Sequence, residues 1–294
     1  MRILFIGCVN SSRRLLLKLL ERKAEIAGVI TKKESAYNSD FVSLIPLCEE
    51  HGIRYLCVRN INDDDSIRFV MECAPDIGFC FGWSQLIKED FLSRIPRGVA
   101  GFHPAALPRN RGRHPIIWAL VLGLTETAST FFMIDSMADT GDIISQRPVK
   151  IAYEDDAQKL YDKIMETAEG QITELLEQFE KNTVVRRKQL PGEGNTWRKR
   201  SEKDGEIDWR MSSKNIYNLV RGLTRPYVGA HFICQGRKIK VWRAAEVISD
   251  AFRNAEPGKV LSVSPDGFID VKAGDYVIRI LECDPVTIHE GDYL

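Results

Sequence analysis

Short apolar runs alternate with amphipathic stretches through the first 150 residues. Arg2–Gly7 reads as a buried strand, and Ser11–Arg22 follows with Leu15, Leu16, Leu19 and Leu20 on one helical face. Glu25–Ile30 is a second strand. Ser39 or Asp40 stands where it can cap a helix running to His51-Gly52, whose glycine suits a helix end. Tyr55–Val58, a capped helix after Asp63 and the strand Asp76–Phe81 continue the alternation, and Val99–His103, Ala128–Ile134 and Asp142–Val149 add three more strands. Fully apolar strands separated by helices predict an α/β fold with a mostly parallel, Rossmann-like sheet and helices on both faces.

Beyond Asp155 the pattern changes. One long helix runs to about Lys181, with apolar positions at 157, 160, 164, 168, 172, 175 and 179. A polar stretch from Asn182 to Asp208, carrying Pro191-Gly192-Glu193-Gly194, reads as a linker. A short helix at Ser212–Arg221 then precedes strands near 229–234, 237–243, 258–263, 267–272 and 275–283. Short strands at that spacing predict a small C-terminal β-barrel of OB type. The expected division is a domain at 1–181, a linker at 182–207 and a β domain at 208–294.

Composition narrows the partners. Lysine plus arginine balances aspartate plus glutamate, 41 against 41, so no global field draws in DNA or an anionic membrane, and tRNA would need a local basic path. The seven cysteines (Cys8, Cys48, Cys57, Cys73, Cys80, Cys234, Cys283) form no Cys-x-x-Cys pair. They read as small buried hydrophobes in a reducing compartment, with no metal site expected. No apolar run approaches the roughly 20 residues of a membrane span, and the N-terminus lacks a signal-peptide pattern, so a cytoplasmic protein is expected.

Two segments carry candidate chemistry. Gly101-Phe102-His103-Pro104 through Arg113-His114-Pro115 leaves the carboxyl end of a strand, where open α/β sheets place ligands, and three prolines stiffen it. Ile134 through Ile144 contains Asp139-Thr140-Gly141-Asp142, which alone would also serve as a surface turn. The first strand runs into Gly7-Cys8-Val9-Asn10 without a Gly-x-Gly-x-x-Gly turn, which disfavours a dinucleotide-dependent dehydrogenase.

Together the two segments resemble the folate-dependent formyltransferase family. Its members carry an Asn-x-His-x-x-x-Leu-Pro-x-x-Arg-Gly loop followed by an Asp-Thr-Gly loop. Here His103 through Arg111-Gly112, with Pro115 and Trp118, matches the first loop, and Asp139 follows His103 by 36 positions as in the family. Gly205-Glu206-Ile207-Asp208-Trp209, Tyr227-Val228-Gly229-Ala230 and Lys238–Arg243 resemble its C-terminal domain.

The resemblance implies an N-formyltransferase that uses 10-formyltetrahydrofolate and no metal. It implies His103 and Asp139 as catalytic residues, His103 pointing at the formyl oxygen and Asp139 orienting it or relaying the amine proton. Phe81, Gly82, Trp83, Ser84, Leu86, Asp139 and Asp142 would hold the folate, Gly82 by letting backbone approach a flat ring. Asn110, Arg111, Arg113, His114, Trp209, Arg225 and Tyr227 would meet the acceptor substrate. The sugar-nucleotide branch, which includes formylation of amino sugars in nonulosonic acid synthesis, is the closer likeness at Arg225–Ala230 and Pro108–Pro115. The alternatives are a methionyl-tRNA formyltransferase, with basic runs at Arg186–Lys188 and Arg198–Lys203 as its path, and a non-catalytic folate or nucleotide-sugar binding protein. A deformylating hydrolase is disfavoured, since those relatives usually carry an extra N-terminal domain. An exposed edge of the β domain would suit a homodimer.

One position departs from the pattern. The family asparagine falls on Gly101, which has no side chain to donate to an oxyanion. Losing such a donor costs roughly 100- to 1,000-fold in rate. Asn110, His114 or an ordered water are the expected substitutes.

Overall fold

The computed structural model describes residues 1–34, 40–190 and 192–294. The chain forms two units. The first takes Met1–Pro115, Thr127–Val149 and Asp162–Trp197; the second takes Ile116–Glu126, Lys150–Tyr161 and Arg198–Leu294.

In the first unit the elements run β1 (Arg2–Ile6), α1 (Asn10–Glu21), β2 (Glu25–Thr31), α2 (Ile45–Glu50), β3 (Tyr55–Cys57), α3 (Asp64–Cys73), β4 (Ile77–Cys80), α4 (Glu89–Leu92), β5 (Val99–His103) and β6 (Arg111–Gly112). Then follow α5 (Pro115–Val121), β7 (Glu126–Met133), β8 (Ile143–Lys150), α6 (Ala157–Glu180) and β9 (Thr196–Trp197), the ends of several lying in the second unit. Seven strands make one sheet in the order β3-β2-β1-β4-β5-β7-β8. The pairs from β3 to β5 are parallel and β5–β7 is antiparallel, so the sheet is mostly parallel as the alternation predicts. Strand order reverses around β1 and β4, so the loops leaving their carboxyl ends flank the crevice where such sheets bind ligands.

The apolar strands bury Leu4, Ile6, Ile30 and Val99 against Phe69, Val70 and Phe91 of the helices. A second layer is aromatic. Phe81 meets Phe5, Phe79, Phe102 and Phe131 at centroid distances of 5.5–6.5 Å. The helix expected from Ser39 or Asp40 begins only at Ile45, with Pro46 in its first turn, where a missing N–H is harmless. Asp40 lies in a turn before it, and Ser39 is outside the described residues.

The second unit holds α7 (Ser213–Leu223) and a five-stranded antiparallel sheet of β10 (Ala230–Cys234), β11 (Arg237–Val247), β12 (Val260–Val263), β13 (Ile269–Lys272) and β14 (Val277–Cys283), ordered β10-β11-β14-β13-β12. Ile216, Leu219, Val220 and Leu223 of α7 pack on Phe232, Ile239, Val271 and Ile280 of the sheet, with Ile117 contributed from α5. Arg221 is buried here. Its Nη1 donates to the carbonyls of Ala152, Tyr153 and Asp155, and its Nε donates to Asn218 Oδ1. This tie draws residues 150–161 into the second unit.

The polar stretch read as a linker is divided. Residues 182–197 fold back on the first unit, and only from Arg198 does the chain belong to the second. β9 pairs with β6, and Arg187 bridges Ile143. Backbone pairing of this kind leaves no apolar period in the sequence. No helix among the described residues is long and apolar enough to cross a membrane.

Candidate functional site

β5 ends at His103, and the rigid loop to Pro115 begins there. The imidazole is buried. Its Nε2 lies 2.8 Å from the carbonyl oxygen of Asn110. A carbonyl only accepts, so Nε2 carries the proton of that bond and Nδ1 is the other ring position. Nδ1 faces Asp139 Oδ2 at 3.8 Å. The structure therefore brings together the two residues that 36 intervening steps of sequence separate.

Asp139 sits in a tight turn. Asp135 Oδ1 accepts from Met137 N (3.1 Å) and Thr140 Oγ1 (2.7 Å), an arrangement typical of aspartate in turns. Asp139 itself has φ of +58°, a left-handed conformation that aspartate tolerates better than most side chains. Its Oδ2 also accepts from Gly112 N at 2.9 Å. One carboxylate oxygen thus faces both the loop backbone and the histidine ring.

Asn110 has φ of +66°, and its N donates to Asn195 Oδ1 at 2.9 Å. The contribution of Asn110 to His103 is its backbone carbonyl. Arg111, expected to meet phosphate, spends Nε and Nη2 inside the protein on Gln189 Oε1 (3.1 and 2.7 Å) and on the carbonyl of Asp139 (3.2 Å). It is a brace within the loop. Arg113 is exposed, and its Nη2 reaches the carbonyl of Ser84 at 3.2 Å, linking this loop to residues 82–86. His114 follows in a left-handed conformation, φ +55°.

The expected folate residues separate into two groups. Phe81 is fully buried in the aromatic core, so its side chain is structural. Gly82 has φ of +65°, and a Cβ there would lie 2.1 Å from Val9 Cγ2 and 2.8 Å from Ser12 Oγ. The glycine is required by the β1–α1 turn packed on it, a packing reason independent of any backbone approach to a heterocycle. Trp83 is half-buried under Lys32, whose Nζ stands 4.9 Å from the ring centroid. Its indole Nε1 is buried without a hydrogen-bond partner among the described residues. Leu86 is 60% exposed. Asp142 is half-buried, and its carbonyl accepts from Met133 N at 2.8 Å.

Three expected acceptor residues lie in the second unit. Trp209 is buried in its core, edge-on to Phe232 at 5.8 Å, so its side chain packs that core. Tyr227 packs on the same core. Arg225 pairs with Glu282 at 2.7 Å and lies 4.2 Å from the Trp242 ring centroid.

Position 101 is closed as well as empty. Gly101 stands opposite Phe132 in the β5–β7 ladder. A Cβ there would meet Ile134 Cγ1 at 2.9 Å and the Phe132 ring at 3.0 Å. His103, two residues on, shares that face of the strand. Where the family pattern has an asparagine, this chain has apolar side chains from β7 and the residue following it. Gln189 and Asn195, which bind Asp139, Arg111 and Asn110, escaped sequence reasoning because they lie in a stretch with no periodic or motif signal.

This arrangement, a buried histidine facing an aspartate at the carboxyl end of a mostly parallel sheet and followed by a small β domain, defines a two-domain N-formyltransferase. The chain belongs to the formyl transferase family: residues 1–176 match the description "Formyl transferase", and residues 199–288 match "Formyl transferase, C-terminal domain". A methionyl-tRNA formyltransferase of Geobacter metallireducens is 32% identical over 95% of this chain and 89% of its own length. Among solved structures, the N-formyltransferase of Helicobacter canadensis, in complex with folinic acid and dTDP-3-aminofucose, superposes with a TM-score of 0.71 at 17% identity, covering 96% of this chain and 99% of that one. WlaRD, a sugar 3N-formyl transferase solved with dTDP and 5-N-formyl-THF, gives 0.70 at 19% identity, covering 95% and 96%.

Proposed function

We propose that this protein transfers a formyl group from 10-formyltetrahydrofolate to the amine of a nucleotide-linked amino sugar. The folate suits residues 82–86, where the exposed side chain of Leu86 offers an apolar surface to a flat heterocycle. When bound, the folate supplies the carbon that an amine attacks, so that charge develops on the formyl oxygen while the amine must shed a proton.

The protein's own groups accept that proton. Asn110 fixes His103 by its carbonyl, which leaves Nδ1 turned toward Asp139 Oδ2. Gly112 N–H holds Oδ2 in place. The proton would pass to His103 Nδ1 or to the Asp139 carboxylate, directly or through one water, and return to the carrier nitrogen that departs as its bond to the formyl carbon breaks. A positioned acid–base pair contributes roughly 100- to 10,000-fold. Gly101 offers no side-chain donor for the developing oxyanion.

The basic runs that tRNA would need are partly tied into the fold. Arg187 donates to Gln146 Oε1 (3.0 Å), and Arg186 reaches the carbonyl of Arg97. Arg198 grips Asp204, and Arg200 is buried 4.6 Å from the Trp118 ring centroid. Of the two runs only Arg200 is buried; Arg186, Arg187, Lys188, Arg198, Lys199 and Lys203 stay exposed, so their charge remains open to a polyanion. The observation that carries the sugar reading is Arg113, exposed beside the site with Nη2 on the Ser84 carbonyl, where a guanidinium suits the phosphate of a small substrate. The methionyl-tRNA reading keeps two observations in its favour, these exposed basic runs and the 32% identity to the Geobacter enzyme.

Titration calorimetry with a panel of nucleoside diphosphates, beside methionyl-tRNA, tests the choice. The sugar reading expects saturable binding of one nucleotide, weakened by Arg113→Ala. It is overturned if no nucleotide binds while tRNA binds tightly and retains affinity at moderate salt, since phosphate contacts impose a steep salt dependence.

A further inference from the structure

Residues 182–197 carry no apolar period, yet they run beside both site segments. Arg187 and Ile143 exchange backbone hydrogen bonds of 2.8 Å each way. Asn195 takes the N–H of Asn110 on its side chain and that of Arg111 on its carbonyl. Between these anchors stands Gln189. Its Nε2 donates to the carbonyls of Asp139 (2.9 Å) and Gly141 (2.7 Å). Its Oε1 accepts from Arg111 Nε (3.1 Å) and Nη2 (2.7 Å).

A glutamine amide has two N–H donors and two acceptor lone pairs, and here all four are used. They are used to join the Asp139 turn to the His103 loop. The turn presents the Asp139 carbonyl from a left-handed residue, a conformation that persists only where the surroundings hold it. Without Gln189 the Gly141 carbonyl loses its 2.7 Å partner and Arg111 keeps only the longer contact to the Asp139 carbonyl (3.2 Å). The Asp139 turn is then tied to the His103 loop by that contact and by Gly112 N–H on Oδ2.

We propose that Gln189 is a positioning residue for formyl transfer. It fixes the Asp139 carboxylate opposite His103 Nδ1 through the backbone of the turn, without touching the reacting atoms. This rests on the roles given above to His103 and Asp139. Displacing a reacting group by about 1 Å costs on the order of 100-fold in rate, and loss of an outer partner of a site ligand typically costs 10- to 100-fold.

The test uses the full-length protein with Gln189→Met, which keeps the length and removes all four bonds, and Gln189→Glu, which keeps the acceptor for Arg111 and sets a carboxylate against two carbonyls. Both are expected to lower kcat about 10- to 100-fold with KM unchanged, to move the pH–rate profile, and to speed amide hydrogen exchange at Gly112. The exposed neighbour Leu190, as Leu190→Ala, is expected to match wild type. If Gln189→Met does not fold, Gln189→Asn, the same amide one methylene shorter, carries the same readouts. Wild-type kcat and pH profile in Gln189→Met overturn the proposal, as does a loss confined to thermal stability. The exchange measurement needs no acceptor substrate. Unchanged Gly112 exchange therefore refutes the role of Gln189, whereas a wild-type protein inactive on every acceptor refutes the functional reading instead.

Discussion

Restoring the family asparagine by Gly101→Asn is the sharpest perturbation of the site. If the missing side chain were the cause of a weak oxyanion site, the substitution would raise the rate by roughly 100- to 1,000-fold. The packing predicts the opposite. A Cβ alone would stand 2.9 Å from Ile134 Cγ1 and 3.0 Å from the Phe132 ring, against the ~3.5–4 Å of comfortable carbon contact. The amide beyond it would enter the cluster of Leu107, Phe132 and Ile143. Overpacking of this kind costs about 1–3 kcal/mol. A buried amide without partners adds about 1–3 kcal/mol more. The sum, about 2–6 kcal/mol, is a large part of the 5–15 kcal/mol that stabilises an ordinary domain. At about 2–4 °C per kcal/mol for a unit of this size, melting of the first unit should fall by on the order of 10 °C. Calorimetry of wild type, Gly101→Ala and Gly101→Asn, with formyl transfer measured on each below its melting range, provides the assay. Stability should fall in that order and the rate should not rise. An asparagine variant that melts like wild type and turns over 100-fold faster would show that position 101 opens on the site, and the account of its closure would be wrong.

Other predictions follow from the same geometry. His103→Gln and Asp139→Asn should each lower kcat by roughly 100- to 10,000-fold while circular dichroism and melting stay near wild type; a variant with wild-type turnover would remove that residue from the mechanism. Arg221→Met leaves the Ala152 carbonyl with Asp155 N–H and the Tyr153 carbonyl with the Tyr217 hydroxyl, but strips Arg221 from the Asp155 carbonyl and Asn218 Oδ1; at about 1–3 kcal/mol for each buried group the second unit should lose about 2–6 kcal/mol in denaturant titration. Burial, with Lys240 adding to it, lowers His231 below its ordinary 6.5 against the opposing pull of Glu206. The unfolded chain therefore binds that proton first, so stability of the second unit should decline as pH falls from 6.5 toward the folded value; His231→Phe should abolish that slope, and an unchanged slope would contradict the assignment.

Much of the fold was legible because the first unit is built from local periods. The apolar strands and the leucine face of α1 report themselves in sequence, as did the small β domain. His103 and Asp139 were legible for a different reason: two short motifs at a fixed separation point to one site even though neither is decisive alone. What sequence could not show depends on contacts far along the chain. Phe81 reads equally as a folate contact or as core until Phe5, Phe102 and Phe131 are seen around it. Gly101 reads as a missing donor, and only the β5–β7 register shows its space filled by Phe132. Arg111 looks like a phosphate ligand until Gln189 is found in its reach. The stretch 182–197 looks like a linker since its ties are backbone bridges and amide side chains, which leave no hydrophobic pattern.

The most direct test is turnover itself. Purified wild-type protein is given 10-formyltetrahydrofolate with a panel of amino-sugar nucleotides or with methionyl-tRNA, and mass spectrometry of each acceptor records the gain of one formyl group. The account predicts formylation of one sugar nucleotide, abolished by His103→Gln, and none of tRNA. Formylation of methionyl-tRNA alone would contradict it.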